Sequence, residues 1–342
     1  MINTLKNYTY EELQEWAVQE GLKPYVGRQI FEWIFAKAVN NTDEMLNISK
    51  TVRALIDAHG SLDVLELSKH EISDEDASEK FLFTCHDGHS IETVLLHSGN
   101  HFTLCLSSEV GCAMGCVFCK TGEMGLLRKL ETAEILEQFI QVQRISNQKI
   151  SNIVFMGMGE PFNNYEAVIK AAEILNHHKG PNIGARHITL STSGIVPRIK
   201  EFAHLPFQFK LAVSLNSADN NKRNELMPVN RRYPLQELLA AASYYTHVTN
   251  KLIFFEYVLL KGINDGPKDA YNLLEKLNRI PCKLNVIPYN ETDTKFGRPE
   301  EEHIKKFVSY FKEASFPVTL RYSGGRGIKA ACGQLYHENL KK

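Results

Sequence analysis

The chain has 342 residues, 43% of them hydrophobic, enough for a large packed core and a smaller unit beside it. Lys plus Arg number 39 against 40 Asp plus Glu, a formal charge of -1, so bulk charge excludes a generally polycationic nucleic-acid binder. The first residues lack a charged-then-apolar signal pattern and the longest apolar runs are too short to span a bilayer; we expect a cytoplasmic chain whose clustered thiols serve a metal or catalysis.

Residues 1 to about 60 read as helical. Thr9 and Glu12 form a capping box, Leu13, Trp16 and Ala17 make one apolar face, and Gly21 closes the helix. A second helix opens near Pro24, carries Val26, Ile30, Phe31, Ile34 and Phe35, and ends in the polar stretch 40–43. From Lys80 the apolar period switches to two, giving strands over 81–86, 90–96 and 101–107 joined by Asp87-Gly88 and Ser98-Gly99-Asn100. The expected organisation is a helical N-terminal domain (1–62), a β extension (63–101) and a core domain (102–342).

Beyond Cys119 strand and helix alternate. Strands are expected over 152–156, 187–192, 209–215, 252–260 and 282–288, with helices over 133–145, 166–175, 235–245 and 268–277. With strand 101–107 this makes six βα units, hence an α/β fold with a parallel sheet, open or closed into a barrel. In such folds the chemistry sits at the C-terminal strand ends, and each unusual sequence patch falls there.

The first patch is Ser107-Ser-Glu-Val-Gly-Cys-Ala-Met-Gly-Cys-Val-Phe-Cys119. A cubane of four irons is normally held by four thiolates, so Cys112, Cys116 and Cys119 imply one iron left for an exogenous ligand. The C-x-x-x-C-x-x-C spacing is the signature of radical S-adenosylmethionine (SAM) enzymes. A zinc site would need a fourth donor, for which His97 and His101 stand upstream. In Met156-Gly157-Met158-Gly159-Glu160-Pro161 the glycines let backbone approach a ligand, and Glu160 can accept from an ammonium group. Ser191, the run Ser214-Leu215-Asn216, and Asn290 supply groups suited to a ribose, a carboxylate or an adenine edge. With Gly159 and Glu160 they outline one SAM site.

These patches, together with Leu104 to Cys112, Leu226-Met-Pro-Val-Asn230, Ile287-Pro-Tyr-Asn290 and Ala330-Ala-Cys-Gly-Gln334, make nearly the whole chain resemble the RlmN/Cfr family of radical SAM RNA methyltransferases. The resemblance implies a partial (β/α)6 barrel, one 4Fe-4S cluster on Cys112, Cys116 and Cys119, and methylation of an adenine ring carbon. It implies that Cys332 takes a methyl group from one SAM, and that a radical from a second SAM removes a hydrogen from that S-methyl group. The resulting methylene radical adds to the ring. Cys105 then attacks the sulfur of Cys332, releasing product and forming a transient disulfide, while Glu92 removes the ring hydrogen as a proton. Pro161 after Gly-Glu points to the C2 branch, since C8 enzymes tend to carry Ala there.

The family's substrates are rRNA loops and tRNA anticodon loops, and its chemistry needs an electron donor such as flavodoxin or ferredoxin; we expect a monomer. Arg128-Lys129, Lys222-Arg223, Arg231-Arg232, Arg321, Arg326 and Lys329 are candidates for a phosphate-binding rim. Cys85 and Cys282 match no family site and read as core thiols. Two departures stand out. Asn216 replaces a frequent His, and Arg326, Gly327 and Lys329 replace the acidic residues that relatives place before the methylated cysteine.

Overall fold

Strand-forming runs from Leu65 onward build the sheet that carries every patch named above. The structure, a computed structural model, describes residues 2–292 and 295–336. Its strands are β1 (Leu65–Ile72), β2 (Glu79–Cys85), β3 (Ser90–Ser98), β4 (His101–Cys105), β5 (Glu109–Gly111), β6 (Leu126–Lys129), β7 (Asn152–Phe155), β8 (Ile188–Thr192), β9 (Lys210–Ser214), β10 (Ile253–Leu259), β11 (Cys282–Pro288) and β12 (Val318–Leu320). Ten of them form one sheet in the order β1-β2-β3-β4-β7-β8-β9-β10-β11-β12. Pairing is antiparallel from β1 to β4 and parallel from β4 to β12.

The fold is therefore α/β, and the six expected parallel strands are all present. A seventh, β12, extends the set; it is three residues long and only half-buried, so it carries no alternation to read. The edge strand β1 was unread for the same reason, because only Leu65 in it is buried. The strand expected through residue 107 is assigned as far as Cys105. At Ser107 the side chain of Gln138 takes over from the ladder: Ser107 N donates to Gln138 Oε1 at 2.9 Å, and Gln138 Nε2 donates back to Ser107 O at 3.0 Å. The expected helices appear as Thr132–Ser146, Tyr165–Asn176, Leu235–Thr249 and Pro267–Leu277. Their apolar faces cover the sheet, with Phe139, Ile153, Phe155, Leu211, Phe255 and Leu284 fully buried. Cys85 and Cys282 are also buried.

The N-terminal helices are Tyr10–Gln19, Pro24–Phe31 and Lys50–His59. The capping box forms, with Glu12 N donating to Thr9 Oγ1 at 3.2 Å and Thr9 N to Glu12 Oε2 at 2.7 Å. Gly21 closes the first helix at φ +72°. This segment docks on helix Thr132–Ser146 through a fully buried ion pair between Lys6 and Glu137. Asn7 Oδ1 also accepts from Ala133 N at 2.9 Å, serving the start of that helix. Among the described residues no helix is long and apolar enough to cross a membrane.

Candidate active site at the strand ends

The cysteine loop is held between β5 and β6, a two-stranded ribbon that a three-residue strand gave no way to foresee. Gly111 sits at φ +75°, where a Cβ would meet the Gly125 carbonyl oxygen at 1.9 Å, so the loop can turn only on glycine. Cys112 N donates to that same carbonyl at 2.9 Å, and Val117 N donates to Leu226 O at 3.1 Å. Phe118 packs with Leu226, Met227, Leu260 and Tyr289 in a small core of its own. Cys119 begins the short helix Lys120–Glu123, whose Thr121 and Gly122 N–H groups oppose the burial that raises its pKa. Burial likewise pushes the Cys112 and Cys116 thiols up, so a bound cation is what would hold them as thiolates.

The loop faces a cavity of about 170 Å³. All three thiols line it, together with Gly159, Glu160, Ser191, Ser214, Asn216 and Cys332. Among the described residues no three His, Cys, Asp or Glu side chains converge tightly enough for a single metal ion. His97 is bonded instead to Glu79 Oε1 at 3.2 Å, and His101 stands exposed at the start of β4. Three thiols of one loop on the wall of one cavity, with no fourth thiol or imidazole in that loop, fit the donor set of a 4Fe-4S cluster with one iron left for SAM better than that of a tetrahedral zinc.

The glycines of the second patch answer to the chain as well as to a ligand. A Cβ at Gly157 would meet Ser107 Oγ at 2.7 Å, and one at Gly159, where φ is +101°, would meet Glu109 Cβ at 2.6 Å. Glu160 is buried, and burial raises its pKa. Its Oε1 accepts from Phe162 N at 3.0 Å and its Oε2 from Ser193 N at 2.7 Å, so it ties the ends of β7 and β8 together. Asn216 adopts φ +54°, a left-handed conformation that Asn tolerates better than His. Its Oδ1 accepts from Val258 N at 2.8 Å and its Nδ2 points at Met227 Sδ, 3.2 Å away.

Two expected cofactor residues lie off the wall. Leu215 buries its side chain in the core, while its N–H donates to Glu256 O at 2.9 Å and its carbonyl accepts from Arg223 Nε at 3.0 Å. Asn290 reaches the segment of Cys332 instead, donating from Nδ2 to Cys332 O at 3.1 Å and to Ser323 Oγ at 3.0 Å.

Cys332 belongs to two cavities. A second one is lined by Cys105, Arg321 and His97. Cys105 is buried and its pKa is pushed up to about 12, first by burial and then by Cys332 nearby. Glu92 lines neither cavity. It is buried on β3, its Oε2 accepting from Tyr336 N at 2.9 Å and its Oε1 standing 3.4 Å from Lys80 Nζ. Burial raises its pKa against the pull of Lys80. Lys80 and Tyr336 in turn line a depression shared with Lys120 and Lys329.

The expected basic rim needs correction. Arg223 is fully buried and spends its guanidinium on Leu215 O, Ser193 O, Ser214 O and Asn230 Oδ1. Arg128 is taken by Glu134 and Asp87, and Lys222 by Asp269, whereas Arg231, Arg232, Arg326 and Lys329 are exposed. The loop before Cys332 is tied to a carboxylate of the β1–β2 turn: Gly325 N donates to Asp76 Oδ2 at 2.7 Å. Sequence reading missed Asp76 and Thr121, which hydrogen-bond the segment around Cys332, and Glu256, which lines the cavity beside the cysteine loop. Only Glu256 left a trace, as the one charge inside the apolar run 252–260.

Comparison with known proteins agrees with this arrangement. Residues 107–274 match the radical SAM superfamily, and residues 3–60 match the ribosomal RNA large subunit methyltransferase N-terminal domain. A probable dual-specificity RNA methyltransferase RlmN of Thermotoga sp. (strain RQ2) is 42% identical over 99% of both chains. One from Geobacillus kaustophilus is 41% identical over 99% of this chain and 94% of its own. The crystal structure of a radical SAM methyltransferase from Sphaerobacter thermophilus superposes with a TM-score of 0.93 at 42% identity, covering 97% of this chain and 98% of that one. The chain belongs to the RlmN family of radical SAM RNA methyltransferases.

Proposed function

We propose that the chain methylates carbon 2 of an adenine in structured RNA, with Cys332 carrying the methyl group. The observation that supports this most is the position of Cys332, on the wall of the cavity that holds the three cluster thiols and of the one that holds Cys105. Cluster and SAM, when bound, supply the methyl group, the electron path and a hydrogen-abstracting radical. The chain supplies the rest. Cys332 presents its sulfur to the inner cavity to be methylated, and to the outer one to meet RNA. Cys105 waits in that outer cavity to attack the Cys332 sulfur and release the product as a disulfide forms. Glu92, with a carboxyl made more basic by burial, accepts the ring proton once Tyr336 N releases it.

The adenine must leave its stack to reach Cys332, which favours a loop or bulge target. The dual-specificity RNA methyltransferases it resembles favour two kinds of RNA target, and we propose rRNA and tRNA. We further propose a cytoplasmic monomer reduced by a flavodoxin or ferredoxin. Profiling of methyladenosines in rRNA and tRNA, with and without the gene, tests the reading: loss of 2-methyladenosine is expected, and an unchanged profile overturns it. Anaerobic protein should hold about four irons per chain and form S-methylated Cys332 with SAM.

A further inference from the structure

A carboxylate oxygen held dry without a donor retains the full cost of leaving water, so buried carboxylates nearly always satisfy both oxygens. Glu256, near the middle of β10, does not. Its side chain is buried and Oε1 accepts from Asn285 Nδ2 at 2.8 Å, but Oε2 has no hydrogen-bond partner among the described residues. Burial raises its pKa, opposed first by Asn285 and then by the more remote charges of Arg321 and Lys283. Among the described residues nothing uses the second oxygen.

The register says what can. Glu256 pairs with Ser214 on β9 and with Asn285 on β11, and with Ser214 it lines the cavity that holds the three cluster thiols. It does not line the outer cavity of Cys105. The missing donor therefore belongs to the molecule bound inside, beside the cluster loop. Within SAM the amino acid end would serve the open iron and the sulfonium offers no donor, which leaves the adenine amine and the ribose hydroxyls. The vicinal hydroxyls of the ribose are donors of the kind an acidic side chain commonly recognises in nucleotide sites.

We infer that Glu256 Oε2 receives a ribose hydroxyl of the adenosyl cofactor, with Ser214 beside it, an assignment that rests on the inner cavity being the SAM site. Glu256 is then a binding residue, kept in an unsatisfied state by Asn285 until the nucleoside arrives.

The test is equilibrium dialysis of S-adenosylhomocysteine and of its 2′-deoxy, 3′-deoxy and N6-methyl analogues against anaerobically reconstituted protein. Wild type should bind one deoxy analogue more weakly by about tenfold or more. Glu256→Ala should bind the parent compound as weakly as wild type binds that analogue, with no further loss for the analogue. Glu256→Gln keeps an oxygen for Asn285 and an amide for the hydroxyl, and should stay within a few-fold of wild type. Equal relative losses in wild type and Glu256→Ala would overturn the inference, as would a penalty for N6-methylation that vanishes in the variant. Should Glu256→Ala fail to fold, wild type alone decides, since indifference to both deoxygenations overturns the assignment. Wild type that binds no S-adenosylhomocysteine would instead sink the reading of the cavity itself.

Discussion

Lys120 donates its backbone N–H to the carbonyl of Gly333 at 2.9 Å, joining the residue after Cys119 to the residue after Cys332. Next along both segments, Thr121 Oγ1 donates to Leu335 O at 2.6 Å. Cys119, the last thiol of the cysteine loop, and Cys332 thus sit on neighbouring segments joined by hydrogen bonds. The cysteine loop therefore supports the segment that carries Cys332.

Replacing Thr121 with Val keeps the shape of the buried side chain and removes that bond. The Leu335 carbonyl then loses its donor, at a cost of about 1–2 kcal/mol. We expect iron content to stay at the wild-type level while methylation of Cys332 slows severalfold, read by intact-protein mass spectrometry after single-turnover mixing with SAM. A parallel fall in iron content would show that the bond serves the cluster loop and not the Cys332 segment.

Cys105 gives a prediction with a sign. Burial disfavours its thiolate, so at neutral pH the group is a thiol and a poor nucleophile. Because its pKa is about 12, the thiolate fraction, and with it the rate of product release, should rise close to tenfold per pH unit between 7 and 9. Cys105→Ala has no thiol to attack with and should accumulate protein covalently joined to RNA, visible as a shifted band on a denaturing gel. Free methylated RNA at the wild-type rate from that variant would remove Cys105 from the reaction.

Gly159→Ala should be far costlier than Gly88→Ala. Both positions have positive φ, which costs an alanine about 1–2 kcal/mol. Gly88 has open space around it, whereas a Cβ at Gly159 meets Glu109 at 2.6 Å. Strain plus overpacking brings the Gly159 cost to about 2–5 kcal/mol, measurable as a lower urea midpoint.

The parts of this fold that sequence revealed are those whose signal is local. The capping box at Thr9, the alternation of β2 and β3 and the cysteine spacing each depend on residues a few positions apart. The seat of Cys332 depends on partners far away: Asp76 for Gly325, Thr121 for Leu335, Glu92 for Tyr336. No period or motif encodes such pairs. Arg223 misled for a related reason. On a short helix its neighbours are polar, and only the fold shows that its guanidinium turns inward to the carbonyls at the ends of β8 and β9.

Lys6 is the sharpest case of a charge whose role only packing reveals, and it yields a stability prediction. Its ammonium is fully buried against Glu137, where the N-terminal segment meets helix Thr132–Ser146. Lys6→Met should cost about 3–5 kcal/mol, because Glu137 is left as a buried charge without its partner. Adding Glu137→Leu should recover most of that loss, since two apolar side chains replace two desolvated ions. The deficit of the single variant should also depend on pH. Burial already raises the Glu137 pKa, and Lys6 is the first group opposing that rise, so removing Lys6 raises it further. A carboxyl whose pKa is higher folded than unfolded binds its proton more tightly in the folded state, so it adds stability below the unfolded pKa and loses it as pH rises through the folded one. The gap between Lys6→Met and wild type should therefore narrow as pH falls from 8 towards 5, measured by urea unfolding across that range. A gap that stays constant would mean that Lys6 matters for the packing of its chain and not for the charge it neutralises.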